Sequence, residues 1–217
     1  MNKLDFELKL PRGYLSFSAM NQYLWDPAEY YLHYFMGKDF MKELREDDIP
    51  RWEKIRLGSI FQDAWYDPRI NWKKKLKKEN FTSDKERIIS NALSQPNLIR
   101  MAPVNCENTY KGIKYNGIPL LIKLDGYDEK KGLLLENKFG VTRSQEMVDE
   151  DLQLSFYTMG LLLKFGKMPK RIVLQSVNDR TGKVKVIETK RNQDDLDHVG
   201  SLIVEVAKKI SLGIWEK

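Results

Sequence analysis

Two carboxylates and a lysine lie close together in residues 120–140, LLIKLDGYDEKKGLLLENKFG. Asp125 falls on one predicted strand and Glu136, Asn137 and Lys138 on the next, with a turn centred near Lys130. Side chains two apart on a strand share a face, roughly 6–7 Å apart along the backbone. Glu136 and Lys138 therefore point the same way. The turn sets Asp125 opposite Leu135 or Glu136, and opposed side chains on antiparallel strands approach to about 4.5–5.5 Å. Two neighbouring carboxylates repel unless a cation sits between them. Hard oxygen donors suit Mg²⁺ or Mn²⁺.

This patch must be held by what precedes and follows it. Two consecutive helices are predicted over 16–37, the first capped by Ser18. The second restarts at Asp26-Pro27-Ala28-Glu29, an Asp N-cap with proline at the first helical position and Glu three residues after the cap, and stops at Gly37. Tyr23, Trp25, Tyr30, Tyr31, Tyr34 and Phe35 crowd these helices, either as core or as platforms for exposed bases. Residues 38–48 are polar and predict a loop. A third helix is predicted over 50–65. Gly58 inside it costs about 1 kcal/mol against alanine, which marks close backbone approach. Gln62 follows one turn later on the same side. The run 71–80, NWKKKLKKEN, carries Lys73, Lys74, Lys75, Lys77 and Lys78, as a solvated face or as a patch that tracks phosphates. A helix over 83–95 is opened by a Ser83-x-x-Glu86 capping box. Residues 41–99 thus form a helical insertion before the sheet.

Strands are predicted at 109–115 and 118–127, joined by the hairpin signal Asn116-Gly117. A third at 133–138 completes a three-stranded meander. A long helix over 142–165, capped by Thr142 with Gln145, places Gln153 and Tyr157 on one face at i, i+4. Strands at 171–177 and 184–188 and a closing amphipathic helix over 192–215 follow. The order predicts an α/β fold in one domain, a central mixed sheet flanked by helices with a helical lobe. The strand, helix, strand segment 133–177 is a right-handed crossover candidate.

Composition narrows the function classes. The chain has 217 residues, 41% hydrophobic and 31% charged, enough to bury a core without the signature of disorder. No run of 18 apolar residues predicts a membrane span, and residues 1–15 lack the apolar stretch of a secretory signal. A single cysteine, Cys106, excludes an internal disulfide, a zinc knuckle and a cysteine-held iron–sulfur cluster. A reducing compartment follows, the cytoplasm or, for a viral protein, the host cytoplasm. A net charge of +6 suits a polyanionic partner, and equally an ordinary basic soluble protein.

Five features stand in one order: Gly58-x-x-x-Gln62 in a helix, Asp125 on a strand, Glu136-Asn137-Lys138 on the next, and Gln153-x-x-x-Tyr157 on the following helix. This ordered set resembles the PD-(D/E)XK nuclease superfamily, and within it the RecB-like exonuclease branch. The opening SFSAMNQYLWDPAEYYLHY is similar to the start of that branch. The likeness spans residues 16–177 and implies a restriction-endonuclease-like fold. It also implies hydrolysis of DNA phosphodiesters, on single strands or at ends, in replication, recombination or repair, with proteins of those processes as further partners. Asp125, Glu136 and the carbonyl of Asn137 would hold Mg²⁺ or Mn²⁺, which polarises the phosphate and activates a bound water. Lys138 would help deprotonate that water or stabilise the developing charge. Gln153 would orient Lys138 or a phosphate. Tyr157 would hydrogen-bond the DNA backbone or stack on a base.

Two departures from the family pattern carry their own expectations. Relatives place histidine, a metal ligand, where this chain has Gln62. An amide oxygen in that role predicts weaker metal binding and less preference for Mn²⁺, restored by Gln62→His. Many relatives also clasp an iron–sulfur cluster with four cysteines, and this chain has Asp26-Pro27 at the corresponding Cys-Pro position, so it is expected to be cluster-free. Besides the exonuclease, two other readings stay open: a catalytically weak nucleic-acid-binding module, and an endonuclease specific for a structure or sequence.

Overall fold

Between Lys123 and Gly126 the chain leaves one sheet and enters another, and the candidate site lies at that crossing. The computed structural model describes residues 5–140 and 142–216; residues 1–4, part of the stretch read for a signal, lie outside the described residues. Strand β1 (Leu15–Ser16) leads into α1 (Phe17–Trp25) and α2 (Pro27–Tyr34). Four more helices follow, α3 (Phe40–Asp47), α4 (Ile49–Tyr66), α5 (Trp72–Lys78) and α6 (Ser83–Ser94). Then come β2 (Thr109–Tyr115), β3 (Ile118–Lys123), β4 (Gly126–Asp128) and β5 (Leu133–Gly140). Helices α7 (Gln145–Asp149) and α8 (Leu152–Phe165), strands β6 (Arg171–Asn178) and β7 (Val184–Thr189), and α9 (Gln193–Ser211) complete the described strands and α-helices.

The fold is mixed α/β, with two mixed sheets flanked by helices. One has the order β1-β3-β2 and the other β4-β5-β6-β7. The expected single meander is therefore corrected. The predicted strand over 118–127 breaks at Leu124 and Asp125, and β4 pairs antiparallel with β5 in the second sheet. Gly126, at the start of β4, packs against the Met101 side chain. Strand β5 pairs parallel with β6 across the α7–α8 connection.

The alternation of β5 decides which core each residue joins. Leu134 packs with α1, α8 and α9 on one face, and Leu135 with α4 and α6 on the other. The helical segment before the sheets thus covers one face of the second sheet. The contact is close at Gly58, where a Cβ would lie 3.3 Å from Phe139 Cβ, as the glycine in a helix interior predicts. The Asn116-Gly117 turn has positive φ at both residues, 47° and 86°, the geometry this dipeptide favours.

Four local expectations are corrected. Residues 40–47 are helix, because Asp39 caps them through the N–H groups of Met41 and Lys42 and Leu44 is buried. The helix predicted over 142–165 is two, α7 and α8. Ser144, rather than Thr142, caps the first, and Asp151 caps the second. The first helix is capped by Ser16 rather than Ser18. Helix α6 begins after Thr82 with no side-chain cap, so the Ser83-x-x-Glu86 box does not form. The Asp26 cap is as expected, accepting the Glu29 N–H at 2.9 Å. Among the aromatics nearby, Tyr23 and Tyr30 are buried and pack against Trp215, while Trp25 is exposed. Among the described residues no helix is long and apolar enough to cross a membrane.

Candidate active site

Strand β5 keeps its β4 partner only as far as Leu135, opposite Gly126. Beyond that point the Asp125 side chain replaces the missing strand: its Oδ2 accepts the Asn137 N–H at 2.8 Å. The N–H and C=O of one strand residue face the same edge. The Asn137 carbonyl therefore faces the side that Asp125 occupies.

Glu136 sits beside this edge and is 3% exposed. Its Oε1 accepts from Lys138 Nζ and from Gln153 Nε2, both at 2.8 Å. Its Oε2 is buried with no partner among the described residues. Lys138 also donates to Gln153 Oε1, and Gln153 Nε2 donates to the Tyr157 hydroxyl at 2.7 Å. Gln153 is thus held on three sides, by Lys138, Glu136 and Tyr157.

The break between α7 and α8 aims Gln153 at this cluster. Asp151 Oδ1 accepts the N–H groups of Gln153 and Leu154 at 2.8 and 3.2 Å, which starts α8 one residue before Gln153. Buried Arg191 fastens the break, donating to the carbonyls of Val148 and Asp151 at 2.8 and 3.0 Å and to Ser155 Oγ at 2.8 Å. The sequence reading missed Arg191, since nothing near it in the chain names its partners.

Burial, and then the charge of Asp125, pushes the Glu136 carboxyl up to about 8. Burial also raises Asp125, partly offset by the Asn137 N–H and by Lys138. Burial works to lower Lys138, but Glu136 and Asp125 together outweigh it and hold the ammonium above its ordinary value. Tyr157 is raised by burial and then by Glu136.

Among the described residues no group of three or more His, Cys, Asp or Glu side chains could hold a metal ion. The donors that converge are two carboxylates and one backbone carbonyl. Mg²⁺ keeps several waters and uses one or two carboxylates, so this sparse set fits it. The orphaned Glu136 Oε2 and the raised carboxyl are what a site built around a cation leaves when only protein groups are counted.

Gln62, expected as a metal ligand, comes to the site but turns its oxygen elsewhere. Its Oε1 accepts from Asn137 Nδ2 at 3.0 Å, and its Nε2 is buried without a partner among the described residues. Tyr157 is 7% exposed, with its ring edge-on to Phe17 and Phe156. No ring face is open to a base, which corrects the expectation of stacking; its contact is with Gln153. The lysine run lies on α5, apart from this cavity. Helix α5 buries Leu76 against its neighbours, with Lys73 paired to Glu86 and Lys75 to Asp63. None of Lys73, Lys74, Lys75, Lys77 and Lys78 lines the cavity beside Asp125.

That cavity, about 520 Å³, is lined by Arg51, Lys54, Gln62, Asp125, Glu136 and Asn137 among others. Lys138 and Gln153 line a second, of about 540 Å³, with Arg143. The cations at the first cavity are thus Arg51 and Lys54, on the same side of α4 as Gly58 and Gln62, with Lys54 also 3.5 Å from Asp179 Oδ2, and the sequence reading passed over both. Lys54 lies across β5 because Gly140 leaves room: a Cβ there would fall 2.5 Å from Lys54 Cε.

No protein-family model matches the chain, and no curated protein matches it. Among solved structures, it is similar to a crystal structure from Eubacterium rectale of a protein provisionally named an exonuclease. The TM-score is 0.60 at 13% identity, over 94% of this chain and 84% of the other. At that identity the likeness is one of fold.

Proposed function

We propose that this chain is a metal-dependent deoxyribonuclease of the PD-(D/E)XK type, close to the RecB-like exonucleases and without an iron–sulfur cluster. One observation carries the reading. Asp125, Glu136, Lys138 and Gln153 converge where β5 loses its strand partner, and the one unmet group among them is a buried carboxylate oxygen. The provisional name of the Eubacterium rectale protein, on the same fold, points the same way.

Asp125, Glu136 and the Asn137 carbonyl would hold Mg²⁺ or Mn²⁺, which when bound supplies a Lewis acid and an activated water. Lys138, held by Glu136 and Gln153, would stabilise the charge that develops on the phosphate. Gln153 fixes the Lys138 ammonium in place, and Tyr157 fixes Gln153. Arg51 and Lys54 would hold the nucleic-acid backbone along α4. Single-stranded DNA or a DNA end suits this single short row of cations. The test is hydrolysis of linear and of covalently closed circular single-stranded DNA with Mg²⁺ or Mn²⁺. Degradation of the linear form alone is expected. Cutting of circles makes the protein an endonuclease, and cutting of neither removes the reading.

One observation favours a second reading, a binding module with weak catalysis. The position that carries a metal-binding histidine in RecB-like relatives is Gln62 here, and its oxygen is engaged by Asn137. Salt-dependent DNA binding without cleavage in any metal would establish it.

A further inference from the structure

Four groups form a chain of amide hydrogen bonds from the protein interior to the cavity. Gln175, fully buried on β6, accepts the Ile99 N–H through Oε1. Its Nε2 donates to the Ile99 carbonyl at 3.0 Å and to Asn137 Oδ1 at 2.9 Å. Asn137 Nδ2 then donates to Gln62 Oε1 at 3.0 Å. An amide side chain can ordinarily be turned end for end, and its neighbours decide which way it points. Here the first member is a backbone N–H, which cannot be reversed. It fixes the sense of Gln175, which fixes Asn137, which fixes Gln62. The end left over is a donor, Gln62 Nε2, buried without a partner among the described residues.

The same cavity holds a second orphan of opposite character, Glu136 Oε2. A cation answers the carboxylate but not the amide N–H, which needs an acceptor. Arg51 and Lys54 of the same helix line the cavity and favour an acceptor that is negatively charged, although Asp179 also lies 3.5 Å from the Lys54 ammonium. We infer that Gln62 is not a metal ligand but a hydrogen-bond donor to a phosphate oxygen of the substrate backbone. Ile99, Gln175 and Asn137 set its direction. The inference rests on the nuclease reading above, because it places a phosphodiester in this cavity. It also gives this chain a reason to carry glutamine where a histidine ligand is expected: the position serves the phosphate instead of the metal.

The test separates metal from phosphate. Mg²⁺ alone is titrated calorimetrically, and binding of a fluorescent oligothymidylate is followed by anisotropy with Ca²⁺ replacing Mg²⁺ to hold off cleavage. Two variants are compared with the wild type. Gln62→Met removes the donor. Gln62→Glu also removes it but keeps an oxygen for Asn137 Nδ2, so the amide chain stays paired and the fold is protected. Each variant is expected to lose about tenfold or more in oligonucleotide affinity, the scale of a hydrogen bond to a charged group. Mg²⁺ affinity should stay within about twofold in Gln62→Met and stay or rise in Gln62→Glu. A fall of about tenfold in Mg²⁺ affinity in Gln62→Met overturns the inference and makes Gln62 a ligand. Unchanged oligonucleotide affinity in both variants overturns it too, leaving Gln62 to hold a structural water. In both cases the nuclease reading stands. A wild type that binds neither Mg²⁺ nor oligonucleotide overturns both.

Discussion

Asp125 Oδ2 accepts the backbone N–H of Asn137 at 2.8 Å, where a neighbouring strand would otherwise pair. One carboxylate thereby ends a sheet edge and brings its charge beside Glu136. The two roles can be separated. Asp125→Asn keeps an oxygen for the N–H but loses the charge. Its stability to urea should stay within about 1 kcal/mol of the wild type, while calorimetric Mg²⁺ binding falls at least about tenfold. Asp125→Ala also leaves the N–H unpaired, at a further cost of about 1–3 kcal/mol.

Glu136 ties stability to pH. Its carboxyl is raised from 4.5 to about 8 on folding. Between these values the folded chain holds a proton that the unfolded chain has released, so stability falls as pH rises. The contribution is full below the lower value and lost through the upper one. Thermal unfolding without metal should therefore show a falling midpoint across that window, and Glu136→Gln should flatten the fall. Mg²⁺ competes with the proton, so its affinity should rise with pH over the same range.

If the chain binds DNA as proposed, Arg51 and Lys54 on α4, which line the cavity beside Asp125, should carry more of the phosphate contact than the lysines of α5. For a single strand, each phosphate that the protein ceases to neutralise makes log affinity against log salt shallower by about 0.7. Arg51→Ala with Lys54→Ala should reduce that slope by about 1.4. Lys74→Ala, Lys77→Ala and Lys78→Ala together should leave it nearly unchanged. Anisotropy titrations across salt concentrations read both.

Much of this site was legible because strand geometry is local. The Asn116-Gly117 turn, the two-residue spacing of Glu136 and Lys138, and the i, i+4 pair of Gln153 and Tyr157 all follow from short-range periodicity. The α7–α8 break was not, because Asp149, Glu150 and Asp151 read equally well as the wet side of one helix and as a cap. What chose the cap is Arg191, some 40 residues away, whose guanidinium takes the Asp151 carbonyl.

The placement of the lysine run was hidden for a related reason. Its charge is visible in the sequence, but the packing of Leu76 that points α5 elsewhere is not. Gln175 left a faint signal, a lone amide in the apolar strand RIVLQSV. Its meaning appears only when Ile99 and Asn137 are found on either side of it. Gln62 lines the same cavity as Asp125 and Glu136, but the direction of its amide depends on that same buried chain.

In the proposed nuclease, Lys138 and the two carboxylates act together on a phosphodiester. The most direct measurement is the rate of product release from end-labelled single-stranded DNA in Mg²⁺ and in Mn²⁺, wild type beside Lys138→Ala, with a chelator control. The wild type should cleave only with metal. Lys138→Ala should be slower by about 10²–10³, the scale of losing one preorganised charge at the transition state. Glu136 keeps its bond from Gln153 in this variant, so a folded protein is expected. Equal rates in the two proteins, or cleavage that survives chelation, would contradict the assignment.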